Sequence, residues 1–322
     1  MSLVKLDPEW AELWALFSQM PKPVYDDVYG LRNVLKVALT AANQAFPAPE
    51  GVKETKHTYP SLDGTNIDIH QFVPPSASTA SQASQRAIVY AFGGGMIGGS
   101  VEIWRTSIKD LAASTGSPVF AVQYRLAPEH PAPAAVEDIY SAVLWLQSEA
   151  ARFDIDPKRV VLFGGSAGGG LAAGAALLAR DRGLPYPIAA MLLYYPMLDD
   201  RAELPDDHPM HPYLTYTKRS NDMAWEAVLG RKRADRTDEN VPIYVAPARA
   251  KDLSGLPDTF IDIGGVDIFR DESIAFAAKL AADGVFVEFH LYPGVPHGFD
   301  NSRQMRVAQQ AVSNRINFVS RY

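Results

Sequence analysis

Short apolar runs recur along the chain and alternate with longer stretches of helical periodicity. The runs AIVYAF (87–92), PVFAVQY (118–124), VVLF (160–163), AAMLLYY (189–195), TFIDIG (259–264) and VFVEFHLYP (285–293) are rich in β-branched and aromatic residues and read as strands. Helices are predicted near 105–115, over 134–150, 168–181 and 271–282, and near 303–320. Strands alternating with helices imply a mostly parallel sheet covered on both faces, an α/β architecture. Ligands of such sheets lie at the carboxyl ends of the strands.

The remaining segments differ in pattern. Residues 9–46 read as mostly helical, with Trp10, Leu13, Trp14 and Phe17 at three- and four-residue spacing, a stripe that packs on the body of the protein. HTYPSLDGTNIDIHQFVPP (57–75) reads as a hairpin around Asp63-Gly64. PPSASTASQASQ (74–85) has no apolar period and is expected to be an exposed loop. An insertion over 200–250 is rich in charge, proline and histidine, with a helix expected around Asp222–Leu229. Its His208 and His211, beside acidic residues, read as solvated surface rather than as a metal site. No internal repeat is found, and no linker is long enough to separate two domains.

Composition narrows the function. A chain of 322 residues with 47% hydrophobic and 21% charged residues buries a large core. A formal net charge of −7 argues against nucleic-acid or anionic-membrane partners. The absence of cysteine excludes disulfides, thiolate metal sites and a cysteine nucleophile. Asp7, Glu9 and Glu12 stand where a signal peptide would be basic and then apolar, so a cytoplasmic location is expected. No apolar run reaches membrane-spanning length.

The chemistry concentrates at LFGGSAGGG (162–170), where glycines surround one serine. Glycine loses more backbone freedom on folding than any other residue, so the cluster must serve a conformation closed to other residues. A phosphate loop would place lysine after its last glycine, where Leu171 stands, and a dinucleotide fingerprint would lie near the first strand. The alternative is a nucleophile elbow, Gly164-x-Ser166-x-Gly168, on a sharp turn between the VVLF strand and an alanine- and leucine-rich helix.

A serine hydroxyl needs a base, and the base needs a group that fixes its tautomer. Of the 7 histidines, only His297, in YPGVPHGFD, follows a strand on a glycine- and proline-defined loop. Asp267 follows TFIDIG through Gly264-Gly265-Val266 and is the preferred acid. Asp262 lies inside that strand, and Asp271 opens the next helix, where an acid favours the helix N-terminus. The order Ser166, Asp267, His297 is that of α/β-hydrolases. Acyl transfer also needs donors for the developing oxyanion, each worth roughly 10²–10³ in turnover. AFGGGMIGGS (91–100), directly after a strand, offers the amides of Gly94 and Gly95, and Ala167 offers a third.

With FGGG, YRLAPEHPAPAAVEDIYSAVLWL (124–146), GGSAGGG, VDIFRDE (266–272) and HGF (297–299) in this order, the chain resembles the hormone-sensitive-lipase-like, or bacterial family IV, carboxylesterases over most of residues 55–320. The resemblance implies an α/β-hydrolase fold with an α-helical cap built from the N-terminal segment and an insertion after the sixth strand. The implied division is 1–50 cap segment, 51–199 and 251–322 core, and 200–250 cap insertion. It implies Ser166 as nucleophile, Asp267 as acid, His297 as base, and Gly94, Gly95 and Ala167 as oxyanion hole. Trp14 and Phe17 on the cap segment, with Met96 and Ile97 after the oxyanion glycines, are expected to border the substrate cavity.

Three positions depart from the family pattern. Phe92 replaces a histidine that holds the glycine loop by hydrogen bonding, so packing must hold it here; Gly165 replaces aspartate or threonine; Gly170 replaces asparagine. All three touch the shell that positions the site. The expected activity is hydrolysis of small to medium-chain esters or lactones through an acyl-enzyme, with no cofactor and no metal. A small-molecule ester is the expected partner, without nucleic acid or membrane, and a homodimer is left open. A hormone-binding protein on the same fold would lack the histidine that His297 supplies; an amidase or acyltransferase would keep the same three residues.

Overall fold

A computed structural model describes residues 4–75 and 85–322. The loop expected over 74–85 falls mainly outside the described residues.

The apolar runs form the interior strands. β3 (Gln85–Ala91), β4 (Val119–Val122), β5 (Ile155–Gly165), β6 (Ala190–Tyr194), β7 (Asp258–Val266) and β8 (Val287–Pro296) are parallel to one another. β1 (Lys53–Pro60) and β2 (Asn66–Val73) form the hairpin around Asp63-Gly64, and β2 joins β4 antiparallel. Among the described residues the sheet has 8 strands in the order β1-β2-β4-β3-β5-β6-β7-β8. β5 lies in the middle, so its carboxyl end is flanked by β3 and β6.

Polar side chains set the helix starts. Asp7 accepts from the amides of Glu9 and Trp10 and opens α1 (Pro8–Phe17), with proline in its first turn. Asp27 caps α2 (Val28–Gln44) through Gly30 N, and Ser100 caps α3 (Val101–Thr115), which ends on Gly116 at φ 63°. α4 (Ala134–Ser148), α5 (Ala167–Asp181), α6 (Lys218–Leu229), α7 (Arg270–Ala282) and α8 (Arg306–Val319) complete the α-helices of the described residues. α3 starts four residues earlier than its apolar period suggests, because Ser100 supplies the cap directly after the glycine loop. β5 begins at Ile155 rather than at Val160: Gln85 pairs with Ile155 across an irregularity in the ladder, a tertiary pairing that the polar IDPKR does not signal.

The insertion between β6 and β7 is closed at its base. Asp200 at its start and Arg249 at its end form a buried bidentate pair, with Nε to Oδ1 at 2.6 Å and Nη2 to Oδ2 at 3.0 Å. Two charges this deeply buried persist only when they satisfy one another. The insertion also meets the N-terminal segment: Tyr25 Oη and Ser220 Oγ are 2.8 Å apart, Arg219 donates to the Tyr25 carbonyl, and the Trp14 and Tyr213 rings lie 5.8 Å apart.

Candidate active site

β5 delivers Ser166 at the sheet's carboxyl edge, and α5 begins one residue later. Ser166 has φ 55°, in the left-handed region that costs a non-glycine residue about 1–3 kcal/mol. Its backbone is held from both sides: its amide donates to Tyr194 O at 3.0 Å, and its carbonyl accepts from Met197 N at 2.9 Å. The Ala167 amide is the first of α5, one of four that have no partner within a helix.

β7 and β8 bring the other two groups to the same edge. Asp267 follows β7, and His297 follows β8. His297 Nε2 is 2.9 Å from Ser166 Oγ, and His297 Nδ1 is 2.8 Å from Asp267 Oδ2. The other carboxylate oxygen of Asp267 accepts from Phe269 N at 2.9 Å, which fixes the plane of a side chain that solvent does not reach. Asp271 is elsewhere: it pairs with Arg270 at 2.6 Å and is largely exposed.

The histidine is boxed by aromatic rings. Tyr195, Phe269 and Tyr216 have centroids 4.6, 5.2 and 5.7 Å from His297. Thr215 Oγ1 donates to the His297 carbonyl at 2.7 Å, so the insertion grips the loop that carries the ring. Tyr216 also reaches the glycine loop, since a Cβ on Gly95 would lie 2.9 Å from its hydroxyl oxygen. Sequence reasoning missed Tyr216 because an insertion without periodicity gives no sign of which residue points inward.

The glycine loop after β3 lies against the serine. A Cβ on Gly93 would be 3.3 Å from Ser166 Cβ, and Trp104 Nε1 donates to Gly93 O at 3.1 Å. Gly94 has φ 141°, and a Cβ there would be 2.2 Å from the Gly98 carbonyl oxygen, so no other residue fits. Phe92 stacks on Tyr124 with centroids 4.1 Å apart, and Tyr124 Oη donates to the Phe92 carbonyl at 2.7 Å. Ring packing and this one hydrogen bond anchor the stem of the loop.

The other two departures are steric necessities. A Cβ on Gly165 would fall 2.0 Å from carbons of the Tyr194 ring, and one on Gly170 would fall 2.1 Å from the Met197 carbonyl oxygen. The segment 195–199 therefore runs hard against the elbow, and Glu272 secures it: Oε1 accepts from Leu198 N at 2.6 Å and Asp199 N at 3.3 Å. Glu272 Oε2 is buried without a partner, and burial pushes this carboxyl well above its usual range.

The expected cavity residues divide. Trp14 packs on Tyr213, but Phe17 turns its ring toward Trp10 at 5.9 Å and is 46% exposed. Met96, at φ 59°, is buried; it lines a crevice with Pro133, Leu171 and Val228, and its Cε lies 3.6 Å from where a Cβ on Gly170 would stand. Ile97 is fully buried. The positive φ at Met96, unusual for a residue with a side chain, takes the chain out of the glycine loop in a direction that residue order does not reveal. Among the described residues no group of three or more His, Cys, Asp or Glu is placed to hold a metal ion. No helix there is long and apolar enough to cross a membrane.

The chain is similar to proteins of known fold. Residues 88–301 match a family model described as alpha/beta hydrolase fold. Esterase LipI of Mycobacterium tuberculosis is 35% identical over 255 residues, covering 78% of this chain and 75% of the relative. Carboxylesterase NlhH of the same species is 34% identical over 290 residues, covering 83% and 88%. Among solved structures, a bacterial heroin esterase superposes with TM-score 0.85 at 33% identity, covering 98% of this chain and 97% of the other. A hyperthermophilic esterase from the archaeon Pyrobaculum calidifontis gives 0.83 at 29%, covering 98% of each.

Proposed function

The chain belongs to the α/β-hydrolase-fold family, among the hormone-sensitive-lipase-like carboxylesterases, and on that premise we propose that it hydrolyses small to medium-chain carboxylic esters or lactones through a serine acyl-enzyme. The observation that carries this reading is the continuous line from Ser166 Oγ through the His297 ring to Asp267, with links of 2.9 and 2.8 Å.

His297 Nε2 takes the hydroxyl proton as Ser166 Oγ attacks the ester carbonyl carbon. Asp267 accepts from Nδ1, which fixes the tautomer and stabilises the imidazolium that forms. The tetrahedral oxyanion is received by the amides of Gly94, Gly95 and Ala167, the last at the positive end of α5. Collapse expels the alcohol, which takes its proton from His297, and a water activated by the same ring then hydrolyses the acyl-serine. These groups supply nucleophile, base and electrostatic stabilisation without a cofactor or metal.

The segment 1–50 and the insertion 200–250 form the cap over this site in this reading, supported by the contacts of Trp14 with Tyr213 and of Tyr25 with Ser220. The substrate partner is a small ester met in the cytoplasm. A series of p-nitrophenyl esters tests the proposal, with the best activity expected on acyl chains of roughly two to eight carbons, since each buried methylene adds only about 0.8 kcal/mol until the cavity is full. Loss of all turnover in Ser166→Ala with the fold intact is the expected control. Retained hydrolysis in that variant sinks the assignment.

A further inference from the structure

A cavity of about 410 Å³ opens between α3 and α8, behind the elbow and outside the Ser166–His297–Asp267 line. Its volume lies in the range of small-molecule sites, roughly 300–1,000 Å³. The floor is aromatic and buried, made by Tyr90, Trp104, Phe163 and Tyr194, and the rim is carried by Gln309, Val312 and Ser313 of α8.

The polar groups restrict what fits. Asp110 pairs with Arg303, and Arg315 pairs with both Asp262 and Asp300. Every charged group on the wall has a partner, with two carboxylates sharing the Arg315 guanidinium, so a charged ligand would enter without a counter-ion of its own. Burial raises the Asp110 carboxyl despite its arginine partner, in keeping with such a wall. The hydroxyls of Tyr90 and Tyr194 share one hydrogen bond at 3.0 Å, and two phenols hold two protons, so one remains for an acceptor atom.

We propose that this cavity is a second, non-catalytic binding site for a neutral aromatic alcohol, whose ring lies against Trp104 and Phe163 and whose oxygen meets the Tyr90–Tyr194 hydroxyl pair. Occupancy is felt at the reaction centre through two direct connections. The Tyr194 carbonyl holds the Ser166 amide, and Tyr195, which also lines the cavity, packs edge-on to His297 while its hydroxyl donates to Asp300 at 2.7 Å. A ligand that favours one arrangement of these side chains thereby changes turnover rather than substrate affinity.

The coupling rests on the proposed role of Ser166 and His297, whereas binding does not, so the two are read separately. 4-Propylphenol is titrated into the full-length protein while the tryptophan indole N–H signals are followed by NMR, with the Trp104 signal assigned through Trp104→Phe. A saturable shift of the Trp104 signal is expected, while that of Trp225, buried in α6 and outside the cavity wall, stays still. kcat on a p-nitrophenyl ester should change by about twofold or more at unchanged KM. Val312→Trp, which closes the rim, and Ala308→Leu, which fills the floor, are expected to remove both effects and to leave kcat without phenol unaltered. No saturable shift, or a shift that neither variant weakens, overturns the site. An increase in KM alone places the phenol in the substrate cavity and overturns it as well, and binding without any change in kcat overturns the coupling. A protein that binds the phenol but cleaves no ester refutes the proposed activity and leaves the binding site standing.

Discussion

Gly165 faces the ring of Tyr194 so closely that a Cβ added to the glycine would lie 2.0 Å from the ring carbons. The ring cannot retreat freely, because Tyr194 Oη is held by Tyr90 and Arg315 stacks on it at 4.5 Å. Gly165→Ala should therefore cost about 1–3 kcal/mol by overpacking and lower kcat by displacing the residue next to Ser166. Gly165→Ala combined with Tyr194→Leu should recover much of the loss, since the smaller side chain vacates the contested space. Thermal unfolding and ester turnover of both variants are the measurements. Additive damage in the double variant would refute the steric coupling.

Separation in space distinguishes the proposed acid from its neighbour. Asp267 touches His297, and Asp271 touches Arg270. Asp267→Asn should lower kcat by several orders of magnitude, about 10⁴ where the wrong tautomer results, and Asp271→Asn should leave it within a few fold. His297→Asn should match Ser166→Ala. A larger loss from Asp271→Asn than from Asp267→Asn would reverse the choice.

Glu272 makes stability depend on pH in a definite direction. Its carboxyl is raised in the folded state, so the stability it contributes is complete below the unfolded value and is lost as pH rises toward the folded one. A side-chain amide at this position could not ionise and would keep an acceptor for Leu198 N and Asp199 N. The melting temperature of Glu272→Gln relative to the parent should therefore climb steadily from about pH 5 to about pH 9. A difference that stays constant over that range removes the buried carboxyl as its cause.

Deleting residues 1–46 removes Trp10, which is buried, and the contacts of Trp14 and Tyr25 with the insertion. The truncated protein should be less stable, bind ester substrates more weakly and lose the parent's chain-length preference. A soluble, folded truncation with an unaltered preference would end the cap assignment for this segment.

Element order was readable from sequence because strand periodicity and capping residues are local, and Ser166, Asp267 and His297, whose side chains the structure brings together, could be picked out because glycine and proline mark each strand end. Tyr216, Glu272 and Tyr194 were not. Each matters through a residue far away in the chain: Tyr216 through Gly95 and His297, Glu272 through Leu198, Tyr194 through Arg315. Trp10 and Phe17 show the limit of periodicity itself, since both fall on one helical stripe yet one is 4% and the other 46% exposed. Spacing identifies a face and does not say how far the neighbouring layer extends over it.

His297, the proposed base, follows the last strand of the sheet, and 131 positions separate it from Ser166. During synthesis the elbow leaves the ribosome long before β8 exists, so an incomplete chain carries a hydroxyl with nothing to deprotonate it. A chain ending before His297 would be chemically silent toward the esters around it, and the first turnover would announce that the sheet had closed at its far edge.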